Sequence, residues 1–218
     1  MPDLSEETRL WQLGYGTVAG LDEVGRGALA GPVVAAAVVL PILSDVPPAL
    51  AEVNDSKQLS TRQRQRLAVA IHRVARGVGV GHVAAAEIDR IGIVAATRQA
   101  MQLALAQLHA LGMPADFLLI DFLTLELPVP QKGIVRGDSC SLSIAAASIV
   151  AKVTRDRWLT ALHDTFPAYD FAHNKGYGTP AHLRALATVG PCPEHRLSFR
   201  RVLPTPQPPA TWAVEQQA

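Results

Sequence analysis

Two adjacent carboxylates, Asp22 and Glu23, stand inside residues 17–24 (TVAGLDEV), a run that is otherwise small, apolar and β-branched. Such a run reads as a buried strand. Charge placed there is costly unless it is paired or metal-bound. A second run of the same kind, residues 32–40 (PVVAAAVVL), follows the link Gly25-Arg26-Gly27-Ala28-Leu29-Ala30-Gly31, so strand, turn and strand are predicted. Neighbouring strand residues point to opposite faces, and Asp22 and Glu23 cannot both project inward from a regular strand. The strand is therefore predicted to end or bend there, helped by Gly25 and Gly27.

Ser60 and Gln63 have capping-box spacing and open a helix predicted to reach about Arg76. Residues 78–83 are a glycine-interrupted strand candidate. Val94, Met101, Leu105 and Leu108 recur at helical spacing until Gly112-Met113-Pro114 ends that helix. Residues 117–121 (FLLID) read as a buried strand with Asp121 at its C-terminal end, and a short strand is expected around Ile134 and Val135. Gly137-Asp138-Ser139 then opens an alanine-rich helix expected from near Leu142 toward Leu162, and Thr179-Pro180 reads as N-cap and first residue of another. The pattern is α/β: a mixed sheet flanked by helices, with a helical C-terminal lobe. From about Leu203 the chain is proline-rich with little to bury, and a disordered tail is expected over 203–218.

The acidic N-terminus lacks the basic start and apolar stretch of a secretory signal. The longest apolar run, residues 33–43, is shorter than the ~18 residues of a membrane helix. Cys140 and Cys192 form no C-x-x-C pair, so neither a disulfide framework nor a structural zinc site is expected, and a cytoplasmic location follows. A net charge of +1 does not describe a chain that coats nucleic acid through its overall field. Residues 152–201 hold eight Lys/Arg against four acids, which reads equally as a local nucleic-acid face or as an ordinary solvated face.

Asp121 ends one apolar strand, Asp22 and Glu23 sit in another, and Asp138 precedes a helix, where N-capping alone would explain it. Four carboxylates gathered at strand ends would repel one another without cations. Two Mg²⁺ or Mn²⁺ ions suit an all-oxygen donor set, and such a pair can activate water for phosphodiester hydrolysis. No histidine or cysteine cluster offers a zinc alternative. Asp156 is excluded by spacing: the helix from Asp138 would carry it roughly 27 Å away, and a surface or inter-element charge pair beside Arg155 and Arg157 is expected instead.

Asp22-Glu23-Val24-Gly25-Arg26-Gly27 resembles the D-E-x-G-R-G signature of ribonuclease HII, and Asp55-Ser56-Lys57-Gln58-Leu59 resembles that family's D-S-K-x-L segment. Gly137-Asp138-Ser139 with residues 143–156 resembles its longest block. Asn174-Lys175-Gly176-Tyr177-Gly178-Thr179 and His195-Arg196-Leu197-Ser198-Phe199 resemble its C-terminal motifs. The resemblance implies a ribonuclease H-like catalytic core over 1–160 and a substrate-binding helical lobe over 161–202. It places Asp22, Glu23, Asp121 and Asp138 on the family's four catalytic, metal-holding acids. It also implies cleavage of RNA/DNA hybrids and of duplex DNA containing ribonucleotides, on the 5′ side of the ribonucleotide, by a monomer that needs no membrane. Two positions depart: Phe122 replaces a glycine after the third acid, which puts the local turn in question because a Cβ restricts the backbone, and Arg136 replaces a common lysine.

Selecting RNA requires sensing a 2′-hydroxyl. The glycines of Gly25-Arg26-Gly27 let backbone groups approach a sugar while Arg26 grips a phosphate; a tight turn with a surface arginine is the alternative. Tyr177, between two glycines, is by resemblance the sensor of the RNA-to-DNA junction, and Lys57 and Lys175 are phosphate-contact candidates. His182 and His195 are read as structural. Gly25-x-Gly27-x-x-x-Gly31 does not have dinucleotide-loop spacing, since its third glycine comes one residue late and a strand follows. Another nuclease on the same fold and a non-catalytic nucleic-acid-binding module remain as alternatives. Ribonuclease HIII differs by an extra N-terminal domain and by lacking the arginine of Gly-Arg-Gly, whereas here 21 residues precede Asp22.

Overall fold

The computed structural model describes residues 1–203, and the tail expectation, apart from Leu203, lies outside them. Five strands form one sheet: β1 (Val18–Val24), β2 (Val33–Val39), β3 (Gly77–Val83), β4 (Phe117–Asp121) and β5 (Gln131–Ile134). Their order is β3-β2-β1-β4-β5. β1, β2 and β3 are antiparallel neighbours, while β4 runs parallel to both β1 and β5.

The helices are α1 (Ser5–Gln12), α2 (Thr61–Val74), α3 (Ala85–Ile91), α4 (Ile93–Ala110), α5 (Leu142–Thr165), α6 (Phe171–Asn174) and α7 (Pro180–Val189). β2 shows why its sequence is unbrokenly apolar, because it is buried on both faces. Val34, Ala36 and Val38 pack with α2 and α5. Val33, Ala35, Ala37 and Val39 pack with α3 and α4 on the other side. A third cluster joins Leu29, Ala30 and Leu159 to Tyr169, Phe171 and Leu186 of the C-terminal segments. α5 runs through position 160, so the division expected there falls inside a helix. No helix among the described residues is long and apolar enough to cross a membrane.

α5 lies close over β1 because Gly20 has no side chain; a Cβ there would collide with the Ser143 backbone. That contact brings the start of α5 to the sheet. The start is capped twice. Ser141 accepts the Ile144 N–H at 3.2 Å. Glu7 of α1, 1 % exposed, accepts from the Ser143 N–H at 2.9 Å and from the Ser141 and Ser143 hydroxyls at 2.6 Å each. A buried anion here also complements the positive end of the helix. Glu7→Ala is expected to lower stability by about 2 kcal/mol, since it leaves buried donors unpaired. An unchanged urea midpoint would show that α1 does not support α5.

Candidate active site

Asp22 and Asp121 lie side by side at one rim of the sheet. The β1–β4 pairing ends at Leu21↔Ile120, one residue before each, and adjacent partners in parallel strands share a face. That face is the one α5 covers, where the Ser148 hydroxyl stands beside Asp22 and favours its charged form. The expected break in β1 does not occur: pairing with β2 continues through Asp22↔Ala36, Glu23↔Ala35 and Val24↔Val34. Because the β4 pairing has already stopped, one side of β1 is open at this rim. Glu23, on the opposite face, is therefore still within electrostatic reach of Asp121.

Asp138 sits in a 3₁₀ turn, Gly137–Ser139, ahead of α5. The capping reading of Asp138 fails, because Ser141 fills that role. The turn is tied to the acids directly: the Gly137 N–H donates to Asp121 Oδ1 at 2.7 Å. Phe122 holds the left-handed conformation, φ 61°, that a glycine would adopt more cheaply, and its ring is exposed. The departure from glycine thus leaves the turn after Asp121 intact.

The site is electrostatically tense. Burial, then the charges of Glu23 and Asp121, push Asp22 well above its ordinary value. Burial likewise raises Glu23, with Arg26 opposing. Asp138 is raised by burial, Asp55 and Asp121, with Lys57 opposing. Burial lowers Lys57, but Asp55, Asp138, Asp22 and Asp121 outweigh it and the net shift is upward. Each acid has meanwhile found a substitute partner. Glu23 Oε1 takes Arg26 Nη1 at 3.2 Å, Asp138 Oδ2 stands 3.9 Å from Lys57 Nζ, and Asp22 Oδ1 takes the Glu23 N–H at 2.7 Å. Among the described residues no three metal-ligating groups form a closed cluster. The rim is an open cradle of repelling oxygens rather than a finished cage. It fits hard divalent cations on two grounds: the donors are all carboxylate oxygens, and Glu23 Oε2 is buried with no partner among the described residues.

Beside the acids, the Gly25–Gly31 loop is laced to the C-terminal segments. The Leu29 and Ala30 N–H groups donate to the Gly176 carbonyl, and the Gly31 N–H donates to that of Glu194. Arg155, fully buried, donates to the carbonyls of Pro32, Lys175 and Ala30 at 2.8–2.9 Å. Arg196, also fully buried, donates to those of Gly31 and Arg26. Two of the eight basic residues counted above are therefore internal struts, and the local basic face is smaller than the sequence implies. The Tyr177 ring lies over this region, 5.5 Å from the Arg155 guanidinium and 5.9 Å from Lys152 Nζ. Gly25, at φ 91°, passes so close to Arg155 that a Cβ would strike its side chain.

The family model described as Ribonuclease HII matches residues 19–202. Relatives named Ribonuclease HII include one from Syntrophotalea carbinolica, 51 % identical over 90 % of this chain and 91 % of its own length. Another, from Chloroflexus aggregans, is 54 % identical over 93 % of this chain and 95 % of its own. The chain belongs to the ribonuclease HII family. Among solved structures, ribonuclease H2 from Pyrococcus horikoshii OT3 superposes with a TM-score of 0.68 at 24 % identity, over 85 % of this chain and 95 % of that one. Bst-RNase HIII in complex with Mn2+ superposes at 0.60 and 23 % identity, over 88 % of this chain and 70 % of that one. At those identities they establish the shared ribonuclease H-like fold.

Set against the ribonuclease HII motifs, the structure gathers Asp22, Glu23, Asp121, Asp138 and Lys57 at one rim, with Gly25, Arg26 and Gly27 directly after it. Lys175 is not gathered there. Its ammonium donates to Thr160 Oγ1 and the Ala172 carbonyl at 2.6 Å, and the charges acting on it are Asp156, Lys152 and Asp170. Asp156 forms an inter-element pair as expected, with Arg64 of α2 at 4.0 Å, and a second pair within α5 with Lys152 at 2.7 Å, rather than pairs with its sequence neighbours. It is also buried rather than on the surface. Sequence reasoning missed Asp55, whose carboxyl lies beside Asp138 and raises it, and the buried Ser56–Ser148 hydroxyl pair, 2.9 Å apart, that leads to Asp22. The Asp-Ser-Lys segment carried that signal only as part of a motif.

Proposed function

We propose that this chain is an endoribonuclease that hydrolyses the RNA strand of RNA/DNA hybrids and cuts 5′ to ribonucleotides embedded in duplex DNA, leaving 3′-hydroxyl and 5′-phosphate ends. It acts as a cytoplasmic monomer in ribonucleotide removal from DNA. The observation that carries the reading is the juxtaposition of Asp22 and Asp121 at an open sheet rim, with Glu23 and Asp138 beside them and the Gly25–Gly27 loop leading away. Residues 1–160 supply the chemistry and residues 161–202 grip the duplex.

Asp22, Glu23, Asp121 and Asp138 would hold two Mn²⁺ or Mg²⁺ ions, which would supply water activation and charge compensation for phosphodiester hydrolysis. Lys57 and Arg26, which rest on Asp138 and Glu23, are the cationic side chains beside the acids and would meet phosphate there. Gly25 and Gly27 admit a sugar to the backbone, and Tyr177 lies against the sugar at the RNA-to-DNA junction. Lys175 reaches a phosphate only by leaving Thr160 and Ala172.

The deciding experiment is digestion of a DNA duplex carrying one ribonucleotide, with Mn²⁺, with Mg²⁺ and with chelator. A single cut 5′ to the ribonucleotide in either metal, and none in chelator, is expected. Chelator-resistant cleavage, or cutting at unmodified DNA, would refute the reading. Binding without cutting in either metal would favour the non-catalytic module.

A further inference from the structure

His182 and His195 are 0 % and 2 % exposed, and neither touches the acidic rim. The Cys192 N–H donates to His195 Nδ1 at 3.0 Å, with Cys192 Sγ 3.2 Å from the same nitrogen. His195 Nε2 and His182 Nε2 are 2.9 Å apart. His182 Nδ1 is 2.9 Å from the carbonyl oxygen of Tyr177. One arrangement of protons on neutral rings satisfies all three contacts. His195 accepts on Nδ1 and donates from Nε2, and His182 accepts on Nε2 and donates from Nδ1 to Tyr177. The surroundings keep the rings neutral: Tyr169 packs on His195 with centroids 4.7 Å apart and Phe171 on His182 at 5.5 Å. Burial, then His182, takes His195 down to about 4, and burial lowers His182.

Both ends of this relay are anchored to the recognition surface. One end is the backbone of Tyr177 itself. At the other, His195 forms a β-bridge with Ala30 of the glycine-rich loop, while the adjacent Arg196 donates to the carbonyls of Gly31 and Arg26. The Tyr177 segment and the Gly25–Gly31 loop are thus joined through the imidazoles.

We propose that His182 and His195 are positioning residues for ribonucleotide recognition: the imidazole pair fixes the Tyr177 carbonyl relative to the Gly25–Gly27 loop and so fixes where the tyrosine ring meets the sugar. The inference rests on the reading of Tyr177 as junction sensor given above. His182→Asn keeps an N–H where Nδ1 donates, and His182→Phe removes it. His195→Phe withdraws the donor to His182 Nε2 while leaving His182 in place.

The test is the ratio of kcat/KM for a single-ribonucleotide duplex to that for a uniform RNA/DNA hybrid. The two phenylalanine variants are expected to lower the ratio about tenfold, the effect of one lost buried hydrogen bond. His182→Asn is expected to restore most of it. A merely structural role would lower both rates together and leave the ratio fixed, which would overturn the proposal, as would an asparagine variant no better than phenylalanine. Should His182→Phe fail to fold, His195→Phe gives the same comparison. Tyr177→Ala separates the two levels. If it lowers the ratio and the histidine variants do not, the relay alone fails; if it leaves the ratio unchanged, the sensor reading fails with it.

Discussion

Asp121→Asn is expected to reduce cleavage of a single-ribonucleotide duplex on the order of a thousandfold or more, because it removes charge where cations must be held. Folding should survive. The asparagine Oδ1 can still accept the Gly137 N–H that now donates to Asp121, so the turn bearing Asp138 stays in place. Removing the charge also relieves Asp22 and Asp138, both pushed upward in part by Asp121. A carboxyl whose folded pKa is raised stabilises the fold below its unfolded value and loses that contribution as pH rises through the folded one. In the metal-free protein these site carboxyls should therefore withdraw stability as pH climbs past the ordinary values of 3.8 and 4.5, opposite in sign to the lowered Asp3 and Asp89. Asp121→Asn should flatten that slope. Thermal melts across pH in chelator, with turnover measured in parallel, check both halves; normal turnover would remove Asp121 from the site.

Arg155→Met is expected to cost about 3–5 kcal/mol of stability. Arg155 is fully buried and, among the described residues, pairs with no carboxylate; it donates to the three carbonyls of Pro32, Ala30 and Lys175. A buried carbonyl left unpaired costs about 1–3 kcal/mol, and the gain from no longer burying a cation offsets part of the sum. Against a typical total of about 5–15 kcal/mol this is a large fraction. Arg155→Lys keeps the charge but not the planar fork that reaches three acceptors, so it should recover only part. Urea unfolding of both variants gives the measure. A midpoint equal to that of the parent protein would show that the loop and the C-terminal segments are held together by something else.

Elements that announce themselves locally were legible in the sequence. The buried strands, the Ser60–Gln63 capping box and the Thr179–Pro180 helix start all appear as read. α1 and α3 did not announce themselves. Neither has a side-chain cap, since Leu4 and Ala84 occupy the N-cap positions, and both are short. At the site, Asp22 and Asp121 stood out as charges in apolar strands. Asp55 and Ser148 did not, because their meaning depends on segments that meet only in the fold. Arg155 and Arg196 looked like surface charge for a related reason: their partners are backbone carbonyls, which carry no mark in a sequence.

The N-terminal arm carries a practical lesson. Glu7 lies outside the family-matched span of residues 19–202, yet it grips the first turn of the helix that follows Asp138. Trimming an expression clone to the homologous boundary would delete that grip, leave buried serines without an acceptor, and so yield a weakened enzyme whose faults would be misread as defects of the chemistry.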